Sequence, residues 1–117
     1  MTLDTFLQRL NDMPESISFN DTMALIDEIY DFTPTAFSNG DTRNEAGQNN
    51  GSCKLFSFAM LNDLTPQQTL TCFGDYYRKD VLGHPDGTDH ANIRNFMKTG
   101  WEGVSYEGHA LTLKQGM

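Results

Sequence analysis

The chain is 117 residues long and carries eight Lys or Arg residues against 16 Asp or Glu, which gives a formal net charge of −8. This length fits a single domain over residues 1–117, and a hydrophobic content of 38% with eight Phe, four Tyr and one Trp excludes an intrinsically disordered chain. The acidic balance argues against a nucleic-acid partner and against an anionic membrane surface, because both are bound through clustered Lys and Arg.

The cysteines and the N-terminus indicate where the protein folds. Cys53 and Cys72 are too few for a disulfide scaffold and lie in apolar segments, so we expect reduced thiols. No apolar run approaches the ~18 residues of a membrane span. The N-terminus also lacks the basic start and continuous apolar stretch of a secretory signal. These features predict a cytoplasmic protein.

The N-terminal part of the chain predicts two amphipathic helices. Apolar residues at positions 3, 6, 7 and 10 define one helix face, with Thr2 as the cap and Pro14 ending the helix after Met13. Asn20 is predicted to cap the second helix, whose apolar stripe includes Ile26.

The segment after the second helix predicts an edge strand and a loop. Aromatic and β-branched residues surround Pro34, which restricts a strand over 30–37 to the edge of a sheet. Asn39-Gly40 is a strong turn signal. Residues 41–51 are almost wholly polar and show little periodicity, so we expect them to form an ordered or semi-ordered loop.

Three helices are predicted to follow this loop. Ser52 is expected to cap a helix that runs to Asn62 and is apolar on nearly all sides, which makes it the central buried helix. The sequence Thr65-Pro66-Gln67-Gln68 is typical of a helix start with a capping box, and Gly74 ends or bends that helix. A short helix is predicted over 76–82.

One more helix is predicted before the C-terminal strands. Asp89 or Thr88 is expected to cap it, and Gly100 is expected to end it. An exposed Trp101 would indicate an anchor for a partner protein, whereas a buried one packs the core. The large apolar residues that we expect to face the core here and in the central helix are Ile93, Phe96, Met97, Trp101 and Met60.

The C-terminal segments predict a β-hairpin. Strand-like residues at 104–106 and 110–113 flank Glu107-Gly108, a tight turn signal. Whether the strand near Phe32 pairs with this hairpin stays open. The chain is therefore predicted to be an α+β domain, with about five helices around a central buried helix and a small antiparallel sheet.

Several short segments carry a family resemblance. They are FTPTAF at 32–37, NG at 39–40, AGQN at 46–49, GSCK at 51–54, CFGDYYR at 72–78, DHANIR at 89–94 and GW at 100–101. Together they resemble the HopJ type III effector family, and the resemblance covers nearly the whole chain. It implies a bacterial protein that is delivered into a host cell through a type III secretion apparatus. It implies no catalytic residue.

The polar segment before the central helix is the main candidate for a ligand-binding site. Its amide and hydroxyl groups supply hydrogen-bond donors and acceptors, which suits a polar small molecule or a peptide backbone, and a helix start suits an anion. Alternatively, these side chains satisfy the backbone of their own loop. The candidate residues are Asn39, Asn44, Gln48, Asn49, Asn50, Ser52 and Lys54.

Arg78 and Arg94 are two further candidates for ligand binding, because they can hold an anionic group in an otherwise acidic protein. The alternative is structural pairing, in which Arg94 bonds to Asp89 or to Glu102 and locks the last helix in place.

The segment 84–90 contains two His and two Asp residues, a ligand set that a divalent metal accepts. However, His84 precedes a proline turn, whereas Asp89 and His90 begin a helix, so a shared geometry does not follow from the sequence. We expect a capped surface turn there, with no metal and no cofactor.

Cys53 is the candidate nucleophile. In the first turn of the predicted central helix, the helix dipole and Lys54 both favour a thiolate. Folding can bring His84, His90 or His109 to it as a base. The alternative is an inert thiol in the core or beside the helix cap.

Two functions follow from these candidates. The leading hypothesis is a non-enzymatic module that binds a polar small molecule or a protein, since no complete catalytic set is present while a polar segment and an acidic surface are. The alternative is a small cysteine-dependent hydrolase or acyl transferase that uses Cys53 with a histidine. We expect the chain to be a monomer.

Overall fold

The computed structural model describes residues 1–114 and confirms the predicted α+β class. The helices are α1 (Leu3–Asp12), α2 (Phe19–Ile29), α3 (Asn50–Leu61), α4 (Pro66–Thr71) and α5 (Ala91–Thr99). Short 3₁₀ turns lie at Pro14–Ser16 and Gly100–Gly103, and a π-helical segment lies at Tyr76–Val81. The strands are β1 (Tyr30–Phe32), β2 (Phe37–Asn39), β3 (Thr42–Asn44), β4 (Val104–Tyr106) and β5 (Leu111–Leu113).

Side chains at the starts of the first two helices satisfy amides that have no partner within the helix. The predicted cap Thr2 is confirmed, because its hydroxyl accepts a hydrogen bond from the backbone of Thr5. The prediction that Asn20 caps α2 is wrong. Ser18 caps this helix instead, since Ser18 and Asp21 form a reciprocal capping box at 3.0 and 3.2 Å.

Two boundaries of the later helices, the start of α4 and the end of α5, follow the prediction. The capping box between Thr65 and Gln68 begins α4 as predicted, and Gly74 follows this helix with a φ of +63°. Gly100 ends α5, also as predicted, with a φ of +59°. Both glycines adopt backbone angles that a residue with a Cβ rarely takes.

The β-strands form two sheets, with strand orders β1-β5 and β3-β2-β4. The Asn39-Gly40 turn signal is confirmed: Gly40 adopts a φ of +59° and connects β2 to β3, so that Asn39 pairs with Thr42. The segment predicted as a loop over 41–51 therefore contains a strand.

The predicted C-terminal hairpin is wrong, because its two strands belong to different sheets. Strand β4 pairs with β2, and β5 pairs with β1, so the strand around Phe32 is the partner of β5. The backbone amide of Glu107 donates to the carbonyl of Ala36 (3.1 Å), and the amide of Thr33 donates to the carbonyl of Ala110 (2.8 Å). The segment between β4 and β5 thus crosses from one sheet to the other instead of folding back on itself.

Helix α3 lies at the centre of the core, as predicted. Aromatic rings surround its residue Phe56, which orders the packing of the helices and sheets around it. The rings nearest to that of Phe56 belong to Phe37, Phe73, Phe96 and Trp101. Buried residues of α3 are Cys53, Leu55, Phe56, Phe58 and Ala59.

Two methionines predicted in the core, Met60 and Met97, are each 45% exposed. Helix α5 buries Ile93 and Phe96, and Met97 follows Phe96 by one position, which turns it about 100° away from the buried face. Trp101 is half-buried as part of the core, and its indole nitrogen donates to the carbonyl of Leu64 at 3.1 Å. Among residues 1–114, no helix is both long enough and apolar enough to span a membrane.

Candidate ligand-binding cleft

Helices α3 and α5 begin in the same unusual way. The residue before each helix, Asn49 or His90, adopts the left-handed conformation, with φ of +50° and +51° respectively, and neither side chain bonds to the first turn. The sequence predicted caps at Ser52 and at Asp89 or Thr88, and these predictions are wrong. The residues that do precede the two helices, Asn49 and His90, use their side chains elsewhere, so the first-turn amides of both helices receive no acceptor from a cap side chain.

The side chains of both cap residues are used elsewhere. The Asn49 amide donates to Oδ1 of Asn44 at 2.6 Å, and Nε2 of His90 lies 3.1 Å from a carboxylate oxygen of Asp80. These bonds hold the two cap residues against strand β3 and against the π-helical segment. They also leave the starts of α3 and α5 open on the side that faces the other helix.

A network of asparagines connects the two helix starts beneath the surface. Asn44 accepts from Asn49 and also from Nδ2 of Asn92 at 3.0 Å, while its own Nδ2 lies 3.2 Å from Oδ1 of Asn92. Asn39 donates to the carbonyl of Asn92 at 2.7 Å and to its side-chain oxygen at 3.1 Å. The side chains of Asn39 and Asn44 are both 0% exposed.

The network fixes the geometry of the cleft above it. Since buried amides are costly unless they are bonded, the Asn44 side chain sets the distance between strand β3 and both helix starts. The side-chain oxygen of Asn39 is buried and has no hydrogen-bond partner within residues 1–114. Two other members of the network, Asn49 and Asn92, line the cleft.

The cleft lies between the starts of α3 and α5 and has a volume of about 450 Å³. This volume is within the range of small-molecule sites in proteins. Its polar and small lining residues are Thr42, Asn49, Gly51, Ser52, Ala91 and Asn92, and its aromatic and apolar ones are Phe19, Phe73, Tyr76, His90 and Ile93.

An aromatic row forms one wall of the cleft. The ring of Tyr76 lies between Phe19, at 5.2 Å, and His90, at 5.3 Å between ring centroids. Tyr76 is 45% exposed. Gly51 allows the row to approach the start of α3, because a Cβ at this position would lie 2.8 Å from the tip of the Phe19 ring.

The polar groups of the cleft are mainly uncharged, and its histidine, His90, bonds to the carboxylate of Asp80. Although the chain has a net charge of −8, no Asp, Glu, Lys or Arg lines the cleft in the part of the chain that the structure describes. Its polar groups are amides, hydroxyls and the backbone at two helix starts. These groups both donate and accept hydrogen bonds, so the cleft suits an uncharged polar molecule.

The other candidates in the polar segment have partners within the protein. The side chain of Gln48 accepts from the backbone amide of Glu45 at 2.9 Å, which stabilises the turn before α3. Lys54 pairs with Asp27 at 2.8 Å, outside the cleft. Asn50 is exposed at the first position of α3. Of the seven predicted residues in this segment, Asn49 and Ser52 line the cleft.

The two arginines also bond within the protein. Arg78 donates to the carbonyl of Ile17 at 2.7 Å. Arg94 pairs with Asp89 at 2.7 Å and donates to the carbonyl of His84 at 2.8 Å, and the hydrogen bond from Arg94 lowers the pKa of Asp89. The structural pairing of Arg94 with Asp89 is therefore confirmed.

The surroundings of Cys53 oppose thiolate chemistry. Its side chain is 1% exposed, and its sulfur bonds to the carbonyl of Thr35 at 3.4 Å. Burial raises the pKa of the thiol, contrary to the predicted effect of the helix start. No histidine within residues 1–114 bonds to the sulfur, and the rings of His84 and His90 both bond to Asp80. The hydroxyl of Tyr106 donates to the Cys53 carbonyl at 2.7 Å.

The segment 84–90 does not gather a metal-ligand set. Among the residues that the structure describes, no group of three or more His, Cys, Asp and Glu side chains could hold a metal ion. His84 and His90 instead connect this segment to the π-helical turn through Asp80.

Sequence reasoning missed the aromatic wall and Asn92. Phe19 and Tyr76 lie 57 residues apart in the sequence, and only the fold shows that they share a cleft. A sequence signal for Asn92 does exist: it lies in the first turn of a helix, so a site at the start of that helix is within reach of its side chain.

Comparison with known proteins places the chain in a family. A family model described as HopJ type III effector protein matches residues 3–111. A solved structure with the description "Crystal structure of unknown function protein VPA0580" is 58% identical, with a TM-score of 0.96, and the alignment covers 97% of this chain and 95% of that one. No curated protein gives a significant match. The chain therefore belongs to the HopJ type III effector protein family.

Proposed function

We propose that the protein is a non-enzymatic binding module and that its ligand is a polar small molecule held in the cleft between the starts of α3 and α5. The observation that carries this proposal is the cleft itself, a concave site of about 450 Å³ whose lining combines an aromatic row with amides and hydroxyls. Apolar walls with a few fixed polar groups are typical of ligand sites.

The asparagine network supports a binding role because it prepares the site before a ligand arrives. Asn44 and Asn39 lie below the surface and hold Asn92 and Asn49 in fixed orientations through bonds of 2.6 to 3.2 Å. A fixed polar group loses little entropy on binding, which favours affinity. In this proposal Asn49, Asn92 and Ser52 contact the ligand, while Asn39 and Asn44 position them.

The enclosed Cys53 favours this proposal over the cysteine-dependent enzyme. A nucleophilic thiol needs access to the substrate and a depressed pKa, whereas the Cys53 thiol is buried and its pKa is raised. The cleft is lined by amides, hydroxyls and aromatic rings, together with His90, which bonds to Asp80, and this combination supports ligand binding.

The proposal is tested by a fragment screen with the full chain, followed by amide chemical shifts in an isotope-labelled sample. At least one polar fragment should shift the amides of Gly51, Ser52 and Ala91, and saturation should raise the melting temperature. The variant Tyr76→Ala should weaken that binding, while Leu82→Ala, an exposed apolar residue that does not line the cleft, should not.

A screen in which no fragment shifts the cleft amides would contradict the proposal. So would fragments that bind with the same affinity to the wild type and to Tyr76→Ala. Melting curves of both variants in the absence of fragment check that they fold, since both substitutions remove partly exposed side chains.

Membership in the HopJ type III effector protein family supports a second proposal, delivery of the chain into a host cell. A reporter enzyme fused to the chain tests it: reporter activity inside host cells should require a working type III apparatus. We also propose that the chain acts as a monomer, which light scattering during size-exclusion chromatography measures directly.

A further inference from the structure

We propose that the ligand of the cleft is a neutral saccharide, whose ring stacks on Tyr76 and whose hydroxyls bond to the amides and hydroxyls that line the same cleft. This inference rests on the proposed function and names its ligand class. It depends on three features of the cleft: the exposed aromatic row, the absence of charged side chains in its described lining, and the mixture of donors and acceptors.

The aromatic row provides a face for stacking. Tyr76 is 45% exposed, and its neighbours hold it edge to face against Phe19 and tilted against His90, with centroid distances of 5.2 and 5.3 Å. The face of an aromatic ring is electron-rich, so it attracts polarised C–H groups. One face of a pyranose ring consists of such C–H groups, whereas its edge carries hydroxyls.

The polar wall provides groups that match hydroxyls. Each sugar hydroxyl is both a donor and an acceptor, and so are the hydroxyl of Ser52 and the carboxamide of Asn49. The Asn49 amide nitrogen is already bonded to Asn44, which leaves the Asn49 oxygen as an acceptor, because the structure shows no bond to it within residues 1–114. The Thr42 hydroxyl accepts from Asn95, so its own hydrogen stays free to donate.

The charged side chains of the protein argue for a neutral ligand, and a phosphate probe tests whether the two open helix starts favour an anion instead. The chain carries 16 Asp or Glu residues, which create a negative field around the molecule, and the described lining supplies no Lys or Arg to compensate an anionic ligand. The same lining supplies no carboxylate to hold a cation. A saccharide without phosphate or carboxylate avoids both costs.

The experiment is an amide chemical-shift titration of the isotope-labelled full chain with glucose, galactose, N-acetylglucosamine and maltose. Adenosine and inorganic phosphate are comparison probes, since adenosine also stacks and phosphate also binds helix starts. Saturable shifts of the Gly51, Ser52 and Ala91 amides by at least one saccharide are the expected result.

Two variants separate stacking from other contributions. Tyr76→Ala removes the ring and should weaken saccharide binding about 3- to 10-fold, the range expected for one aromatic contact. Tyr76→Phe keeps the ring and should change the affinity less than 3-fold. Leu82→Ala is the control outside the cleft and should bind as the wild type does.

Each result decides between the proposals. Shifts with adenosine or phosphate and none with any saccharide would overturn the ligand class while leaving the cleft as a binding site. Saccharide shifts that spare the cleft amides, or that are equal in the wild type and Tyr76→Ala, would overturn the inference as well. No shift with any of the six probes also overturns it, and the fragment screen then decides separately whether the cleft binds another class of molecule.

Discussion

The substitution Asn44→Ala tests the asparagine network, on which the geometry of the cleft depends. Asn44 is 0% exposed, and its side-chain oxygen accepts from Asn49 at 2.6 Å and from Asn92 at 3.0 Å. Without this acceptor, the Asn92 amide is left buried with one donor unpaired. The amide of Asn49 lies at the surface, so water can replace its bond.

The expected loss of stability follows from these two cases. A buried donor without a partner costs about 1–3 kcal/mol, whereas the water-accessible Asn49 contributes little. The atoms removed also leave a small cavity, which adds about 1 kcal/mol. Asn44→Ala should therefore lower the free energy of unfolding by about 2–4 kcal/mol, which corresponds to a decrease in melting temperature of roughly 10 °C.

Urea denaturation, followed by the fluorescence of Trp101, measures this loss because the indole is half-buried in the core. Asn50→Ala is the matched control: the Asn50 side chain is exposed, so the expected change is within about 0.5 kcal/mol. If Asn44→Ala and Asn50→Ala lose the same free energy, the network does not hold the two helix starts, and the reasoning about a prepared site fails.

Three further predictions concern the two cysteines and Gly74, which belong neither to the asparagine network nor to the lining of the cleft. Burial raises the pKa of Cys72 to about 12 from an ordinary value of 9.0, so its contribution to stability is complete below pH 9 and falls by about 4 kcal/mol as the pH rises to 12. In unfolding titrations Cys72→Ala should therefore lose less stability at alkaline pH than the wild type, while the buried Cys53 and Tyr106, whose pKa values are also raised, retain their own dependence. Iodoacetamide should label Cys53 only in unfolded protein, and rapid labelling of the native protein near neutral pH would contradict its burial. Gly74→Ala should lower the free energy of unfolding, measured by urea denaturation, by at least about 2 kcal/mol more than Gly47→Ala does. Both glycines have a positive φ, but only a Cβ at position 74 would lie 2.6 Å from the backbone nitrogen of Phe19. Equal losses of free energy in the two variants would show that this close contact relaxes.

The local signals of the sequence were enough to predict most helices. Apolar periodicity and side-chain caps act within a few residues of each other, so Thr2 and the pair Thr65 and Gln68 identify the starts of their helices correctly. At α2, Ser18 and Asn20 are both good caps by type. The competition was decided by Asp21, which completes a capping box with Ser18 and cannot do so with Asn20.

The pairing of strands could not be predicted because it depends on contacts between distant segments. Residues 104–106 and 110–113 have the spacing of a hairpin, and that local pattern favoured pairing them with each other. The structure instead pairs Phe37 with Tyr106, whose rings stack at 5.0 Å, and pairs Phe32 with Leu111. Such cross-strand contacts determine the register of the strands, and they cannot be predicted from the pattern of residues that are neighbours in the sequence.

The asparagines show why the candidate site was only partly predictable. By residue type, Asn39, Asn44 and Asn49 are equivalent, and all three lie in one polar segment of the sequence. Strand β3 within that segment sends Asn44 inward, where it meets Asn92 from a helix that lies 48 residues further along the chain. A pleated strand must bury one of its faces when it packs on a helix, so a polar residue on that face either finds a partner or destabilises the fold.

This constraint connects the stability of the protein with its proposed site. The buried amides of Asn44 and Asn92 can satisfy each other only when β3, the start of α3 and the start of α5 come together. The same meeting of elements brings Tyr76 and Phe19 close to the helix starts and leaves a cleft lined by all of them. The packing that gives the buried amides their hydrogen-bond partners therefore also forms the cleft. A substitution that loosens the network, such as Asn44→Ala, should change the shape of the cleft, even though Asn44 does not line it.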